Sequence, residues 1–162
     1  MISIIAAIGR QRQIGKDGRL LWHIKEDLQN FKRLTMDHHV IMGRTTYQSL
    51  LPYFKDGDVL PGRHPIVLTR QNDFPCLVQT ASSLHDALQM AESDPEIFII
   101  GGGQVYTEAL HFTDTIYLSE IDYTGEADTF FPDISIYLWF LKNKIEYNGW
   151  RFMELHKMRH PF

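Results

Sequence analysis

The 162-residue chain is 44% hydrophobic and 22% charged, the balance of a soluble globular protein long enough to bury a core without disulfides or metal. Its formal net charge of −4 gives no general attraction to nucleic acid or membranes, so any anionic ligand has to be met by local cations. A single cysteine, Cys76, excludes an internal disulfide framework and is consistent with a reducing compartment.

Residues 2–8 form an unbroken, isoleucine-rich run of strand length, the pattern of a strand covered on both faces. The run lacks a basic leader and is too short to span a bilayer. It reads as a buried first strand rather than a signal peptide, and the protein as cytoplasmic. Residues 9–19 hold Gly15 and Gly18 among Arg, Gln, Lys and Asp, and read as an exposed, flexible connection of lid length.

Residues 20–35, LLWHIKEDLQNFKRLT, contain an anomaly. At helical spacing Ile24, Leu28, Phe31 and Leu34 share one apolar stripe, and Asp27 falls inside it. A carboxylate facing a core is costly or loses its charge unless something compensates it. Either a backbone or hydroxyl group satisfies Asp27, or it anchors a ligand that donates hydrogen bonds to a carboxylate, with Trp22 and Phe31 as apolar walls.

Residues 39–42 are a short strand, after which Gly43 and Arg44-Thr45-Thr46 open a helix to about Leu50. Amides, two hydroxyls and a guanidinium gathered there suit a phosphate; the plainer alternative is a threonine N-cap beside a solvated arginine. Residues 51–64, with Pro52 and Pro61, read as a surface loop before a strand at 66–69 that ends on Thr69-Arg70. Residues 77–80 are a further short strand. Ser82 or Ser83 then caps a helix to about Ala91, with Leu84, Ala87, Leu88 and Ala91 at helical spacing.

The apolar residues 97–100 lead through Gly101-Gly102-Gly103 into a helix at 104–110, which brings bare backbone close to a ligand at the strand's carboxyl end. A tight turn alone needs one glycine. The pattern is not the G-x-G-x-x-G dinucleotide fingerprint, because Tyr106 stands at its last position, and no Walker lysine follows. Residues 115–121 are a strand with Ser119, residues 126–132 are acidic, and residues 137–147 and 150–155 flank Asn148-Gly149, a dipeptide favoured in two-residue hairpins.

The expected fold is α/β: a single domain over residues 1–162, with a central mixed, mostly parallel sheet flanked by helices and an antiparallel C-terminal hairpin at a sheet edge. Arg44, Thr46, Thr69, Arg70 and the glycines all stand at strand carboxyl ends, where ligands gather in such sheets. Of the eight histidines, the adjacent His38 and His39 point to opposite faces if extended. His156 and His160 join no acidic or cysteine cluster, so no metal site is expected.

These stretches together resemble dihydrofolate reductase in its bacterial form along nearly the full chain. The matching motifs are MISIIAAIG, the loop from Ile14-Gly15 to Trp22, Asp27-Leu28 with Phe31-Lys32, VIMGRTTY at 40–47, LPGR at 60–63, LTR at 68–70, IIGGGQVY at 99–106 and DTFFPD at 128–133. Their order and spacing make the match specific. The resemblance implies a dihydrofolate reductase-like fold and NADPH-dependent reduction of 7,8-dihydrofolate to tetrahydrofolate, in support of one-carbon metabolism and thymidylate synthesis. Hydride would pass to pterin C6, with N5 protonated by water admitted beside Leu20.

By the same resemblance, Asp27 accepts from the pterin 2-amino group and N3, and Trp22 helps hold ordered water. Ile5, Leu28, Phe31 and Ile100 enclose the ring. Arg63 pairs with the α-carboxylate of the glutamate tail, towards which Lys32 leans, and Ser119 replaces the family's usual threonine beside the aspartate. Ala7, Ile14, Gly15, Leu20, Tyr106 and the turn Gly101-Gly102-Gly103, followed by Gln104 and Val105, hold the nicotinamide and pyrophosphate. Gly43, Arg44, Thr45, Thr46, Leu68, Thr69 and Arg70 complete the cofactor site, with Arg44 and Arg70 on the extra ribose phosphate. The Gly101-Gly102 peptide is expected to be cis. A monomer open to antifolate inhibitors follows by the same analogy.

Four departures stand out: Leu21 for the usual proline, a longer segment at 51–59, Gln104 for an arginine of some relatives, and a shorter terminal hairpin. Two rival functions share much of this pattern. A reductase of a riboflavin-pathway aminopyrimidine would not require Asp27 and Arg63 where they are, and a non-catalytic NADPH-binding module would not require Asp27, Trp22 and Arg63 together.

Overall fold

The structure is a computed structural model that describes residues 1–71 and 77–159; Cys76 and His160 lie outside the described residues. In chain order the elements are β1 (Ile2–Ile8), β2 (Gln13–Lys16), β3 (Arg19–Leu20), α1 (Lys25–Thr35), β4 (His39–Gly43), α2 (Arg44–Leu50), β5 (His64–Leu68) and β6 (Gln79–Ala81). They continue with α3 (Leu84–Met90), β7 (Ile97–Ile99), α4 (Gly103–Ala109), β8 (Thr115–Ile121), β9 (Thr129–Phe130), β10 (Trp139–Tyr147) and β11 (Trp150–Lys157).

Eight strands form one sheet in the order β10-β11-β8-β1-β7-β4-β5-β6. Parallel pairing joins β1 to β7 and β8, β4 to β5 and β7, and β5 to β6; β8-β11 and β10-β11 are antiparallel. This is the mixed, mostly parallel sheet of an α/β fold, and its hairpin lies at the edge as expected. Gly149, at φ +84°, supplies the left-handed residue of that turn.

The apolar run of β1 alternates between two cores. Ile4, Ala6 and Ile8 pack with residues of α3 and α4, whereas Ile5 joins Tyr47 of α2 and the partly buried Phe31 and Leu34 of α1. Burying such a side chain contributes about 1.5–3 kcal/mol, and a one-residue slip would exchange the two faces. The register Ser3↔Thr115 to Ile8↔Glu120 is thereby fixed. It sets Ala7 opposite Ser119 at the end of β1.

Several expectations need correction. The lid segment is not exposed throughout. Gln13 and Ile14 are buried, and β2 pairs with β3 and β9 in a separate three-stranded sheet. Residues 51–64 are not a simple surface loop: two 3-10 turns, Leu51–Tyr53 and Lys55–Gly57, lead into buried Val59, Leu60 and Arg63. Chain packing supplies partners for that backbone, which the local composition does not reveal. The strand expected at 77–80 is Gln79–Ala81, and that expected at 66–69 is His64–Leu68, ending before Thr69.

His38 and His39 do not diverge either. His38 precedes β4, and both rings reach the Asp94 carboxylate, at 2.7 and 2.9 Å. Ser83 caps α3 as expected by accepting from the Asp86 amide at 3.1 Å. By contrast α2 starts from Gly43 with no side-chain cap, so neither Thr45 nor Thr46 is spent there.

Candidate active site

A cleft of about 1020 Å³ opens at the carboxyl ends of β1, β4, β5 and β7. Each of these strands delivers a short loop or helix start to the same edge, as parallel strands with crossover helices must. Its lining includes Ile5, Asp27, Leu28, Phe31, Lys32, Arg63 and Ile100. It also includes Ala7, Ile14, Gly15, Leu20, Gly43, Arg44, Thr45, Thr46, Leu68, Thr69, Arg70, the turn Gly101-Gly102-Gly103, Gln104, Val105 and Tyr106. Trp22 also lines the cleft, whereas Ser119 stands behind Asp27.

The stripe on α1 faces both ways: Ile24, Phe31 and Leu34 pack against a core cluster, while Leu28 turns to the cleft and is 49% exposed. The helix itself starts only at Lys25, after extended Ile24, so Trp22 and Ile24 belong to its lead-in. That start places Asp27 in the first helical turn, where a carboxylate is favoured. Its Oδ1 accepts from the Ser119 hydroxyl of β8 at 2.5 Å. Burial raises the Asp27 pKa above its ordinary value, and the Ser119 bond opposes that shift without cancelling it. A hydroxyl thus satisfies one oxygen of the aspartate, and the residue still lines the cleft.

Arg63 is buried, and its Nε donates to the Leu60 carbonyl at 3.2 Å. Burial lowers its pKa from the ordinary arginine value. Such a guanidinium favours a planar anion. At the opposite end of the cleft, Arg44 donates to Gln71 at 3.3 Å and stands with Arg70, Thr45, Thr69, Ser82 and Ser83. This grouping of cations and hydroxyls suits a phosphate ester.

The three glycines have more than one reason. The Gly101-Gly102 peptide is cis as expected, and Gly101 has φ +126°, where a side chain is strained. A Cβ on Gly103 would stand 2.9 Å from the Phe130 carbonyl, so the turn is pressed against β9. Bare backbone thus borders the cleft between Thr46 and Tyr106. The Tyr106 hydroxyl donates to the Ile5 carbonyl at 2.9 Å, and burial, with the Asp27 charge, holds its pKa well above the usual phenol range.

The lid, β2 and β3, is fastened to the segment around β9. The Asp17 amide donates to Asp128 Oδ2 at 2.8 Å, the Asp128 amide to the Gly15 carbonyl at 3.0 Å, and Gln13 Nε2 to the Gly125 carbonyl at 3.1 Å. The exposed Lys16–Glu126 pair at 2.6 Å adds little. Trp22 meets Tyr123 edge-on, with ring centroids 5.3 Å apart.

A carboxylate at one end of the cleft, glycine backbone in the middle and paired arginines at the other are accompanied by a sequence match over almost the whole chain. The profile of the dihydrofolate reductase family matches residues 1–153. The chain belongs to the dihydrofolate reductase family. It is 40% identical to "Dihydrofolate reductase type 3" of Salmonella typhimurium over 163 residues, 99% of this chain and 88% of that protein. To the dihydrofolate reductase of Bacillus subtilis it is 40% identical over 142 residues, 86% of this chain and 80% of that one. Among solved structures, the Enterococcus faecalis dihydrofolate reductase complexed with NADP(H) and RAB-propyl superposes with a TM-score of 0.85 at 30% identity, over 97% of this chain and 96% of that one. The chain is thus an enzyme, a dihydrofolate reductase with that family's α/β fold.

Sequence patterns missed part of this reductase's cleft wall. His23, Ser49, Leu50, Tyr53, Phe54 and Thr129 all line it. The one local signal is the aromatic pair Tyr53-Phe54 in a segment that also carries Lys55, Asp56 and Asp58, a composition that solvent alone does not favour.

Proposed function

We propose that this chain, as a single catalytic domain, reduces 7,8-dihydrofolate to 5,6,7,8-tetrahydrofolate with NADPH. The observation that carries the proposal is the half-buried Asp27 carboxylate, held by Ser119 and facing a cleft whose far end presents Arg44 and Arg70. Asp27 accepts hydrogen bonds from the 2-amino group and N3 of the pterin, fixing which ring face is presented. Ile5, Leu28, Phe31 and Ile100 enclose the ring, and Arg63 receives the glutamate α-carboxylate, with Lys32 near the tail.

The wall around the glycine turn fits a nicotinamide dinucleotide because its backbone is bare there and Arg44 and Arg70 are available to the phosphates. When bound, NADPH supplies hydride from nicotinamide C4 to pterin C6. The chain's own part is orientation and electrostatics. Leu20, half-exposed at the end of the lid, controls admission of the water that protonates N5, and Trp22 holds ordered water linked to Asp27. Tetrahydrofolate formed in this way serves one-carbon transfer and thymidylate synthesis; a cytoplasmic monomer sensitive to antifolates completes the proposal. The aminopyrimidine alternative leaves Asp27 and Arg63 without work.

Loss of absorbance at 340 nm with NADPH plus dihydrofolate, against NADPH alone, tests the assignment. No loss with dihydrofolate, or an equal loss without it, overturns the proposal.

A further inference from the structure

His23 and Tyr53 meet across the cleft mouth. The Tyr53 hydroxyl and His23 Nε2 are 3.0 Å apart, their ring centroids 5.1 Å apart at 48°, and 30 positions of chain separate them. His23 continues the lid directly, two residues before α1, while Tyr53 ends the 3-10 turn Leu51–Tyr53 that extends α2. Those helices supply Asp27, Leu28 and Phe31 from one side of the cleft and Thr46, Ser49 and Leu50 from the other.

We propose that His23 and Tyr53 form a clasp that closes the gap between these segments and paces the passage of ligands, resting on the dihydrofolate reductase assignment above. Phe54 anchors the tyrosine from behind. It is partly buried in the cluster that includes Trp22, Ile24 and Phe31, so the turn presents Tyr53 from a fixed base. Tyr53 itself is 62% exposed, and its hydroxyl can donate to a bare Nε2 or accept from a protonated one. Little packing is lost when the pair parts, so the clasp opens by breaking one hydrogen bond and separating two rings. Its place in the lid's root, close in sequence to Leu20 and Trp22, lets it act on ligands entering the cleft at either end.

A clasp that bars the route without holding the seated ligand slows binding and release by the same factor and leaves Kd unchanged. A wall contact slows release alone. Stopped-flow quenching of tryptophan fluorescence by NADPH, and separately by folic acid, distinguishes them in wild type, Tyr53→Phe, His23→Leu and the double variant. The clasp requires Tyr53→Phe to raise both rate constants by between about 2-fold and 10-fold, the range of one net hydrogen bond, with Kd within a factor of about 2. It also requires the double variant to go no further than the faster single. Unchanged rates for NADPH, or a rise in release alone, overturn it. The NADPH traces need no folate, whereas wild-type turnover of dihydrofolate separately tests the assigned reaction, so failure of one is distinguishable from failure of the other.

Discussion

The Ser119 hydroxyl donates to Asp27 Oδ1 at 2.5 Å, tying β8 to α1 across 92 positions of sequence. Ser119 is almost fully buried, opposite Ala7 and Phe152 in the sheet register, so the bond rests on a rigid base. The sheet rather than the helix therefore decides where the carboxylate points. The hydroxyl also favours the ionised form in a place where burial disfavours it.

Asp27→Asn is expected to fold and to lower turnover at neutral pH by about 100-fold, since an oriented charge at the reacting ring is lost. Its stability has a distinct sign. Folding raises the Asp27 pKa above 3.8, so the carboxyl's contribution is full below the unfolded pKa and declines as pH rises through the folded one. Thermal melts should therefore show Tm of the variant gaining on wild type across that window, and a constant difference refutes the assignment of the shift.

Removing the hydroxyl should act on the carboxylate rather than on the fold. With Ser119→Ala, the bond that lowers the Asp27 pKa disappears while burial remains, so the acid limb of the kcat/KM profile moves to higher pH; Ser119→Thr should restore it. An unmoved limb in the alanine variant would detach Ser119 from catalysis.

Arg44→Ala combined with Arg70→Ala should raise KM for NADPH by more than about 100-fold and leave KM for NADH nearly unchanged, because charge-assisted bonds to the extra phosphate contribute about 1.5–3 kcal/mol each. Steady-state kinetics with the two cofactors decides this. Equal effects mean that these arginines do not read the phosphate.

Asp94 makes a contrasting prediction, far from the chemistry. It precedes β7 and so lies at the end of the sheet opposite the cleft. It accepts from the His38 ring at 2.7 Å, the His39 amide at 2.7 Å and the Glu96 amide at 3.0 Å. Burial opposes its charge, but these bonds outweigh it and hold the carboxyl well below the usual carboxylate range. Its stabilisation is present above the unfolded pKa and lost as pH falls through the folded one. Asp94→Asn should cost about 2–4 kcal/mol at neutral pH, less in acid, with kcat intact; denaturant unfolding and turnover measured side by side check both.

The sequence showed in order the eight strands of the main sheet and the four helices, the anomalous Asp27, the glycine turn and the arginines after β4 and β5, because each leaves a local trace in periodicity, capping or backbone freedom; the short β2, β3 and β9 left no such trace. It also determined the family, since its motifs keep their order over nearly the whole chain. The resemblance already set Ser119 beside Asp27; the folded chain alone showed that Trp22 leans on Tyr123, that Val59, Leu60 and Arg63 turn inward, and that Tyr53 reaches His23. Those contacts join segments tens of residues apart. Their partners are set by the sheet order and register, and no short-range pattern encodes which distant side chains that register brings within hydrogen-bonding distance.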